Sequence, residues 1–313
     1  MPGTPAPAPA STRALPVPLR AAALMLGSTV MFALMALVIR LASKNLHTFE
    51  VAFFRNFFGL LAAVPLLVQH GPGLLRTRRF PRYLFRCLVG VCSMLCGFWA
   101  IGHLPLAQAI SLSYSTPLFV TIAAAALLGE RVRMRRWLAV LAGFAGVLLI
   151  VRPGTSGFTS GSLVAVLAAV LSSIVAIQIK QLSATEPADR IVVYTTLLWV
   201  PMSLVPALGV WTWPQGLDWL WVVLAGVFGT GGHMLWTRAL KLGEVSALTP
   251  ISFMQLPIVA LFGWLLFDEG LSLWTLAGAV VILGANAYIA HREAVLARRA
   301  ATRAPSTGAK PGE

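Results

Sequence analysis

Residues 113–143 read SYSTPLFVTIAAAALLGERVRMRRWLAVLAG, and residues 252–278 repeat the pattern as SFMQLPIVALFGWLLFDEGLSLWTLAG. Each copy has a proline in an apolar run, a glutamate 12 or 13 residues later (Glu130, Glu269), and then a tryptophan that opens a helix of small residues. Four arginines follow the first glutamate closely, whereas no cation follows the second until Arg292. In a membrane protein, this difference in charge predicts two repeats inserted in opposite orientations.

The composition excludes a soluble globular domain. Of the 313 residues, 58% are hydrophobic and only 11% are charged, and the mean hydropathy is +0.82. A membrane-spanning helix needs about 20 apolar residues, and these runs are apolar on all sides, unlike barrel strands. The sequence therefore predicts an all-α integral membrane protein with ten transmembrane helices, arranged as two inverted five-helix repeats. The predicted spans are 21–41, 49–69, 83–102, 106–128, 137–152, 161–182, 191–209, 219–241, 246–267 and 273–290.

The basic residues predict the orientation of the chain. The two tails and the loops on the same side of the membrane hold all but five of the 24 lysines and arginines. Of the other five, Arg40, Lys44 and Arg152 lie on the opposite side of the membrane, and Arg55 and Arg86 lie within spans. Cytoplasmic loops are enriched in cations, so both termini are expected in the cytoplasm. The net charge of +14 then indicates contact with the lipid bilayer and its anionic headgroups, and a nucleic-acid partner is not expected.

The pattern as a whole resembles a known family. Ten spans, the five-span duplication, the run from a proline to LLGE that closes span 4, and the arginine early in span 2 (FEVAFFRNFFGLL, 49–61) resemble the drug/metabolite transporter superfamily, EamA type, over about residues 21 to 291. The resemblance implies a multi-pass carrier of the bacterial inner membrane, with a central cavity lined largely by spans 1, 3, 4, 6, 8 and 9. Related proteins export amino acids or opine-type metallophores, and others import nucleotides, S-adenosylmethionine or riboflavin.

The predicted organisation has four parts. A disordered cytoplasmic tail covers residues 1–20, the first EamA-like repeat covers 21–153, the second covers 154–291, and a basic cytoplasmic tail covers 292–313. All three cysteines lie in span 3, at spacings typical of neither a disulfide framework nor a zinc site. Neither a cofactor nor a metal ion is expected, and a homodimer is left open.

Two polar stripes are candidates for binding a substrate. A polar side chain in hydrocarbon needs a partner or a water-filled cavity, so a stripe on one helix face can line such a cavity. The same side chains could equally well form hydrogen bonds between helices. The prolines of these spans (Pro117, Pro250 and Pro257) could then simply kink the helices where they pack. The stripes comprise Gln108, Ser111, Tyr114 and Ser115 in span 4, and Thr249, Ser252 and Gln255 in span 9.

Two basic side chains inside spans are further candidates. His233 lies near the middle of span 8 and is expected to bind a carboxylate or carry a coupling proton, unless it is a neutral histidine bonded to a carbonyl. Arg55 lies about two turns inside span 2 and needs a partner there. A substrate carboxylate, helix carbonyls or an acid such as Asp268 or Glu269 would each provide one, and a structural role is as good an interpretation as binding.

The acidic residues argue against several functions. All ten lie at span ends, in loops or in the tail, which disfavours a buried carboxylate relay, a carboxylate-lined channel and an enzyme. The sequence therefore predicts a secondary transporter that exports a small polar metabolite, such as an amino-acid-like or opine-type zwitterion or anion. Import of a nucleotide-like metabolite, S-adenosylmethionine or riboflavin is the alternative, and a membrane scaffold or sensor is a weaker one.

Overall fold

A computed structural model describes residues 17–70, 77–129, 134–155, 158–243 and 245–303. Within these ranges the chain forms twelve α-helices and no strand. Most of the predicted tail 1–20, and the cations at Arg131 and Arg133, lie outside the described residues. The helices are α1 (Val17–Ala42), α2 (Thr48–His70), α3 (Phe80–His103), α4 (Leu106–Ser113), α5 (Thr116–Leu128), α6 (Met134–Val151), α7 (Ser160–Ser183), α8 (Ala188–Leu208), α9 (Asp218–Leu242), α10 (Val245–Ser252), α11 (Gln255–Phe267) and α12 (Leu273–Arg303).

The twelve helices can be arranged as the ten predicted crossings, and in the described residues eight of these are long and apolar enough to cross a membrane while a ninth contains the shorter apolar helix Val193–Leu208. We call the membrane face at which α1 begins the first face, and the opposite one the second face. Five crossings precede the loop after α6, so the second set of five begins at the second face and is inverted. The helix bounds confirm the predicted spans with one correction. Spans 4 and 9 are not continuous, since α4 and α5 together form one crossing and α10 and α11 form the other.

The two interruptions occupy equivalent places in the repeats. Pro117 has no amide hydrogen to donate to the carbonyl of Ser113 four residues earlier, and this interrupts the helix. The hydroxyl of Thr116 donates to that carbonyl at 2.8 Å, and the hydroxyl of Ser115 donates to the carbonyl of Leu112 at 2.6 Å. Pro257 produces the corresponding interruption between α10 and α11. Side-chain hydroxyls thus replace lost backbone donors, as a hydrocarbon environment requires.

The larger part of the packed core lies toward one side of the membrane. The largest cluster of buried apolar side chains joins the ends of α1, α3 and α6 to the beginnings of α2, α4, α7 and α9 near the second face, and it reaches the middle of spans 4 and 9 at Leu112 and Val259. Near the first face the buried apolar residues fall into three smaller, separate clusters, centred on Val140, Met25 and Tyr83. The helices are therefore packed together at the second face and divided into groups at the first.

Spans 5 and 10 pack against each other through glycines. A methyl group placed on Gly146 of α6 would lie 2.7 Å from the carbonyl oxygen of Gly278 on α12, and one placed on Gly278 would lie 2.5 Å from the oxygen of Gly146. The small residues that the sequence shows at four-residue spacing in span 5 therefore allow the backbones of two equivalent spans to touch. By contrast, Gly284 on α12 has open space around it.

We expect Gly146→Ala to lower the free energy of unfolding by about 1–3 kcal/mol, because a methyl group at this contact forces two backbones apart. The matched control is Gly284→Ala, which adds the same methyl group where nothing opposes it and should stabilise α12 by up to about 1 kcal/mol. Thermal unfolding in detergent compares the two variants. Equal thermal unfolding midpoints for the two variants would show that α6 and α12 are not in close backbone contact at Gly146.

Candidate substrate site

The surface of α9 at the boundary between the repeats is formed by glycines. Methyl groups on Gly226 and Gly229 would lie within 3.0 Å of atoms of α2, and methyl groups on Gly231 and Gly232 would approach Met31 and Phe32 of α1 equally closely. The hydroxyl of Ser28 on α1 donates to the carbonyl of Gly232 at 2.8 Å. The glycine-rich segment of span 8 is thus a close helix contact.

Arg55 is placed directly on this surface. Its side chain is only 9% exposed and lies against Gly229, where an added methyl group would come 2.6 Å from Nη2. Nη1 donates to the side chain of Asn56 at 3.0 Å, and Asn56 donates to Ser203 on α8. Within the described part of the chain, Nε has no hydrogen-bond partner and no carboxylate pairs with the guanidinium. Arg55 is therefore a buried cation that has no anion among the described residues.

His233 lies one helical turn beyond Gly229 on the same face of α9. That face is buried at Val222, Gly226 and Gly229, yet His233 is exposed. Its ring packs edge-on against the ring of Phe32, with 5.0 Å between centroids. No described residue forms a hydrogen bond with its ring nitrogens. An exposed side chain on an otherwise buried helix face shows that the close contact of α9 with α2 ends before His233.

The two predicted polar stripes are used mainly within the protein. Ser111 and Ser115 are buried, and their hydroxyls donate to the carbonyls of Ala107 and Leu112 in their own span. Gln108 donates to Ser162 of α7 at 3.0 Å. These hydrogen bonds engage one donor of each of the three side chains within the protein, and a role for them in binding stays a prediction.

Tyr114 joins the two interrupted spans. It lies at the break in span 4, and its hydroxyl is 2.7 Å from the carbonyl of Ser252 and 3.3 Å from Oε1 of Gln255, both at the break in span 9. Its own carbonyl accepts a hydrogen bond from Asn286 of α12. The structure therefore brings Tyr114, Ser252 and Gln255 together at the crossing of the two repeats, and it does not bring them to Arg55. The side chain of Thr249 lies outside the described residues.

A single carboxylate connects the repeats at the second face. Glu269, in the turn after α11, accepts from Nη2 of Arg40 at 3.0 Å and from the backbone amide of Leu106, the first residue of α4, at 2.8 Å. Arg40 also donates to the carbonyls of Ile101 and Gly102 at the end of α3. This cluster, which we call the Glu269 tie, holds α1, α3 and α4 of the first repeat to the second repeat.

Two further carboxylates reinforce the same face. Glu50 is fully buried and accepts from the backbone amide and the hydroxyl of Thr212, in the loop between α8 and α9. Asp218, at the start of α9, accepts from the side chain of Asn45 at 3.0 Å. Each pair crosses from one repeat to the other, so the second face is closed by three polar connections above a packed core.

A weaker connection of the same kind lies at the first face. Glu186, in the loop between α7 and α8, accepts from Thr77 at 3.0 Å and from Arg190 at 2.6 Å. The hydrogen bond from Arg190 is the main cause that lowers the pKa of the Glu186 carboxyl. A lowered pKa means that this contact contributes fully at neutral pH and is lost as the pH falls through the folded-state value. The carboxylate–threonine pairs of Glu186 and Glu50 occupy related places in the two repeats.

The structure adds two residues that the sequence pattern does not single out. Phe32 of α1 contacts both Gly232 and His233, and it is one of many phenylalanines in apolar runs, so no pattern distinguishes it. Ser113 is exposed at the break in span 4, while the predicted Ser111 and Ser115 are buried. Its position four residues before Pro117 is the available signal, because proline exposes the carbonyl of that residue.

An inverted pair of five-span repeats, with interrupted helices meeting at the centre, defines a multi-pass membrane transport protein. The EamA-like transporter family matches residues 19–152 and 159–290 of this chain, and the chain belongs to that family. A solved crystal structure with 22% sequence identity and a TM-score of 0.60 covers 89% of this chain and 98% of its own, which shows the same fold.

Three relatives illustrate the range of the family. A riboflavin transporter of Vibrio cholerae is 32% identical over 90% of this chain and 96% of its own length. An S-adenosylmethionine uptake transporter of Rickettsia felis is 30% identical over 80% of this chain and 85% of its own. The pseudopaline exporter CntI of Pseudomonas aeruginosa is 31% identical over 80% and 89%. This chain is accordingly a small-molecule transporter, and its relatives are transporters and not enzymes.

We expect Tyr114→Phe to lower the free energy of unfolding by about 1–2 kcal/mol, because the carbonyl of Ser252 loses its hydrogen bond across the two breaks. Tyr288→Phe is the matched control, since Tyr288 is exposed on α12 and the same deletion there should be neutral. Thermal unfolding in detergent measures both. A Tyr114→Phe protein of unchanged stability with weakened substrate binding would favour the binding role instead.

Proposed function

We propose that this protein carries a small polar metabolite with an anionic group across the membrane by alternating access, and that Arg55 and His233 bind that group. The observation that carries the proposal is the buried guanidinium of Arg55, which has no carboxylate partner in the described residues and lies against Gly229, one helical turn before the exposed His233 on α9. Amino-acid-like compounds, opines and related zwitterions carry such a group.

The chemistry of the two side chains supports anion binding. A buried cation is costly unless an opposite charge or several hydrogen bonds compensate it. Among the described residues, the side chain of Asn56 is the acceptor that Arg55 has for its five donors. A carboxylate or phosphate matches the planar fork of a guanidinium with two parallel hydrogen bonds. Phe32 beside His233 offers an aromatic face or edge to the rest of the substrate.

The shape of the molecule supports an alternating-access cycle. The second face has the larger part of the packed core and three carboxylate connections, whereas the buried apolar residues near the first face form separate clusters. This arrangement is the one expected of a state open toward the first face. Because the repeats are inverted, exchanging their conformations would produce the state open toward the second face.

The sidedness of the cycle follows from the loops. The sequence places most of the cations in loops on the side of the first face, and the positive-inside rule supports our proposal that this face and both termini lie on the cytoplasmic side of the inner membrane. Export is the direction that we propose, and in that direction the state open toward the first face takes substrate from the cytoplasm. The relatives named for riboflavin and S-adenosylmethionine uptake favour import of a larger, nucleotide-like metabolite as the alternative.

The decisive experiment measures flux of a radiolabelled metabolite panel in inverted and right-side-out vesicles. The panel holds amino acids, opines, S-adenosylmethionine and riboflavin, so that it separates both substrate and direction. We expect saturable flux of at least one anionic or zwitterionic compound. A wide panel in which no compound shows saturable flux would contradict the carrier itself.

We expect Arg55→Gln to reduce flux at subsaturating substrate by about tenfold or more, since a hydrogen bond to a charged group contributes about 1.5–3 kcal/mol and each 1.4 kcal/mol is tenfold. Arg55→Lys keeps the charge and should recover part of the flux. His233→Ala should weaken binding and alter the pH dependence of flux. Arg238→Gln, at an exposed site further along α9, is the control. Full activity in both Arg55 variants would remove Arg55 from the site.

A second test concerns the closure of the second face. In a variant without native cysteines, we expect His233→Cys to react with a membrane-impermeant maleimide from the first face. Adding Glu269→Gln breaks the ion pair with Arg40 and should raise labelling from the second face about tenfold, because it removes roughly 1.5 kcal/mol or more that favours closure.

Arg238→Gln is the control for this labelling, since Arg238 is exposed on α9 and takes no part in the Glu269 tie. It should leave the labelling pattern unchanged. Identical labelling from the second face with and without Glu269→Gln would show that the tie does not hold the protein closed.

A further inference from the structure

A groove of about 720 Å³ lies at the second face, beside the Glu269 tie and away from Arg55 and His233. It is formed by the end of α1, the end of α3 and the last turn of α11. The residues that line it combine two cations, one acid and an apolar strip. They are Arg40, Ser43, Lys44, Gly102, Trp264, Leu265, Leu266, Phe267 and Asp268.

The cations of the groove are concentrated on a face that otherwise has few. Lys and Arg near the second face are limited to Arg40, Lys44 and Arg152, and two of these three line the groove. The guanidinium of Arg40 and the ammonium of Lys44 both lie over the ring of Phe267, at 5.6 and 5.0 Å from its centroid. One ring thus holds two like charges together.

The charged side chains of the groove keep hydrogen-bond donors and acceptors that a ligand could use. Lys44 is exposed, and no described carboxylate pairs with its ammonium. Arg40 directs three hydrogen bonds to Ile101, Gly102 and Glu269, and a guanidinium has five donors. Asp268 is also exposed and forms no ion pair with either cation. The groove therefore has a positively charged part, formed by Arg40 and Lys44, and a separate negatively charged part, formed by Asp268.

The apolar strip continues from the groove along α11. Trp264, Leu265 and Leu266 are 60%, 58% and 54% exposed, at the end of a membrane-spanning helix. Tryptophan and cations at this depth are typical of the interface between lipid headgroups and acyl chains. Apolar side chains there would be covered by acyl chains, while Lys44 and Asp268 lie at the headgroup level.

We propose that this groove binds the headgroup of a zwitterionic phospholipid of the ethanolamine type. The phosphate is held by Lys44 and the free donors of Arg40, the ammonium is held by Asp268, and an acyl chain follows Trp264 and Leu265. Separated charges of both signs match a zwitterion, and a headgroup with a phosphate alone would meet the repulsion of Asp268. Since Arg40 belongs to both the groove and the Glu269 tie, a bound headgroup contacts the residue that closes the second face.

Native mass spectrometry of the full-length protein tests the proposal with three phospholipids that differ in headgroup: ethanolamine, glycerol and choline. We expect one molecule of the ethanolamine lipid to remain bound in preference to the choline lipid, because a quaternary ammonium has no N–H to donate to Asp268. Lys44→Gln should reduce retention about tenfold for the ethanolamine and glycerol lipids. Lys241→Gln is the control, since Lys241 is exposed at the end of α9 near the first face, and it should leave the retention of both lipids unchanged.

The variant Asp268→Asn separates the two halves of the headgroup. Asparagine tolerates the left-handed backbone of this position (φ 55°) as aspartate does, so the fold should be kept. Retention of the ethanolamine lipid should fall severalfold, and retention of the glycerol lipid should stay equal or rise. Unchanged retention in Lys44→Gln, or displacement of the lipid by millimolar inorganic phosphate, would overturn the proposal, and the second result would assign the groove to a soluble anion.

Discussion

The contacts of the Glu269 carboxylate join the two repeats at the second face, and the closed arrangement of that face depends on them. This carboxylate accepts hydrogen bonds from Arg40 at the end of α1 and from the first amide of α4, so that one side chain of the second repeat holds two helices of the first. The ion pair is partly buried, where opposite charges attract each other more strongly than in water. The packed core beneath it, the exposed His233 and the division of the first face into separate clusters all belong to this closed arrangement.

The interrupted spans explain how a membrane protein can contain irregular backbone at its centre. Hydrocarbon offers no hydrogen bonds, so each carbonyl released by a proline needs a donor from the protein. Hydroxyls of Thr116 and Ser115 supply donors within span 4, and Tyr114 supplies one to span 9. The serine and threonine residues that look like a substrate surface are therefore largely engaged in keeping the two breaks stable.

The proposed substrate site and the groove at the second face use arginine in different ways. Arg55 lies in a seam lined by glycines, where its charge has no anion from the described part of the protein and a substrate can provide one. Arg40 lies at the membrane interface, where Glu269, two carbonyls and an aromatic ring already surround it. The first environment favours binding that is released in each cycle, and the second favours a connection that holds the repeats.

The sequence alone determined the all-α membrane fold, the ten crossings and the inversion of the repeats, because hydropathy and charge act locally along the chain. It also pointed to Arg55 and His233, since any ionisable side chain within a span needs an explanation. It could not show that Glu269 ties the two repeats together, that Ser111 and Ser115 turn inward, or that Phe32 adjoins His233. Those facts depend on which helices touch, and contacts between residues far apart in sequence are set by packing in three dimensions.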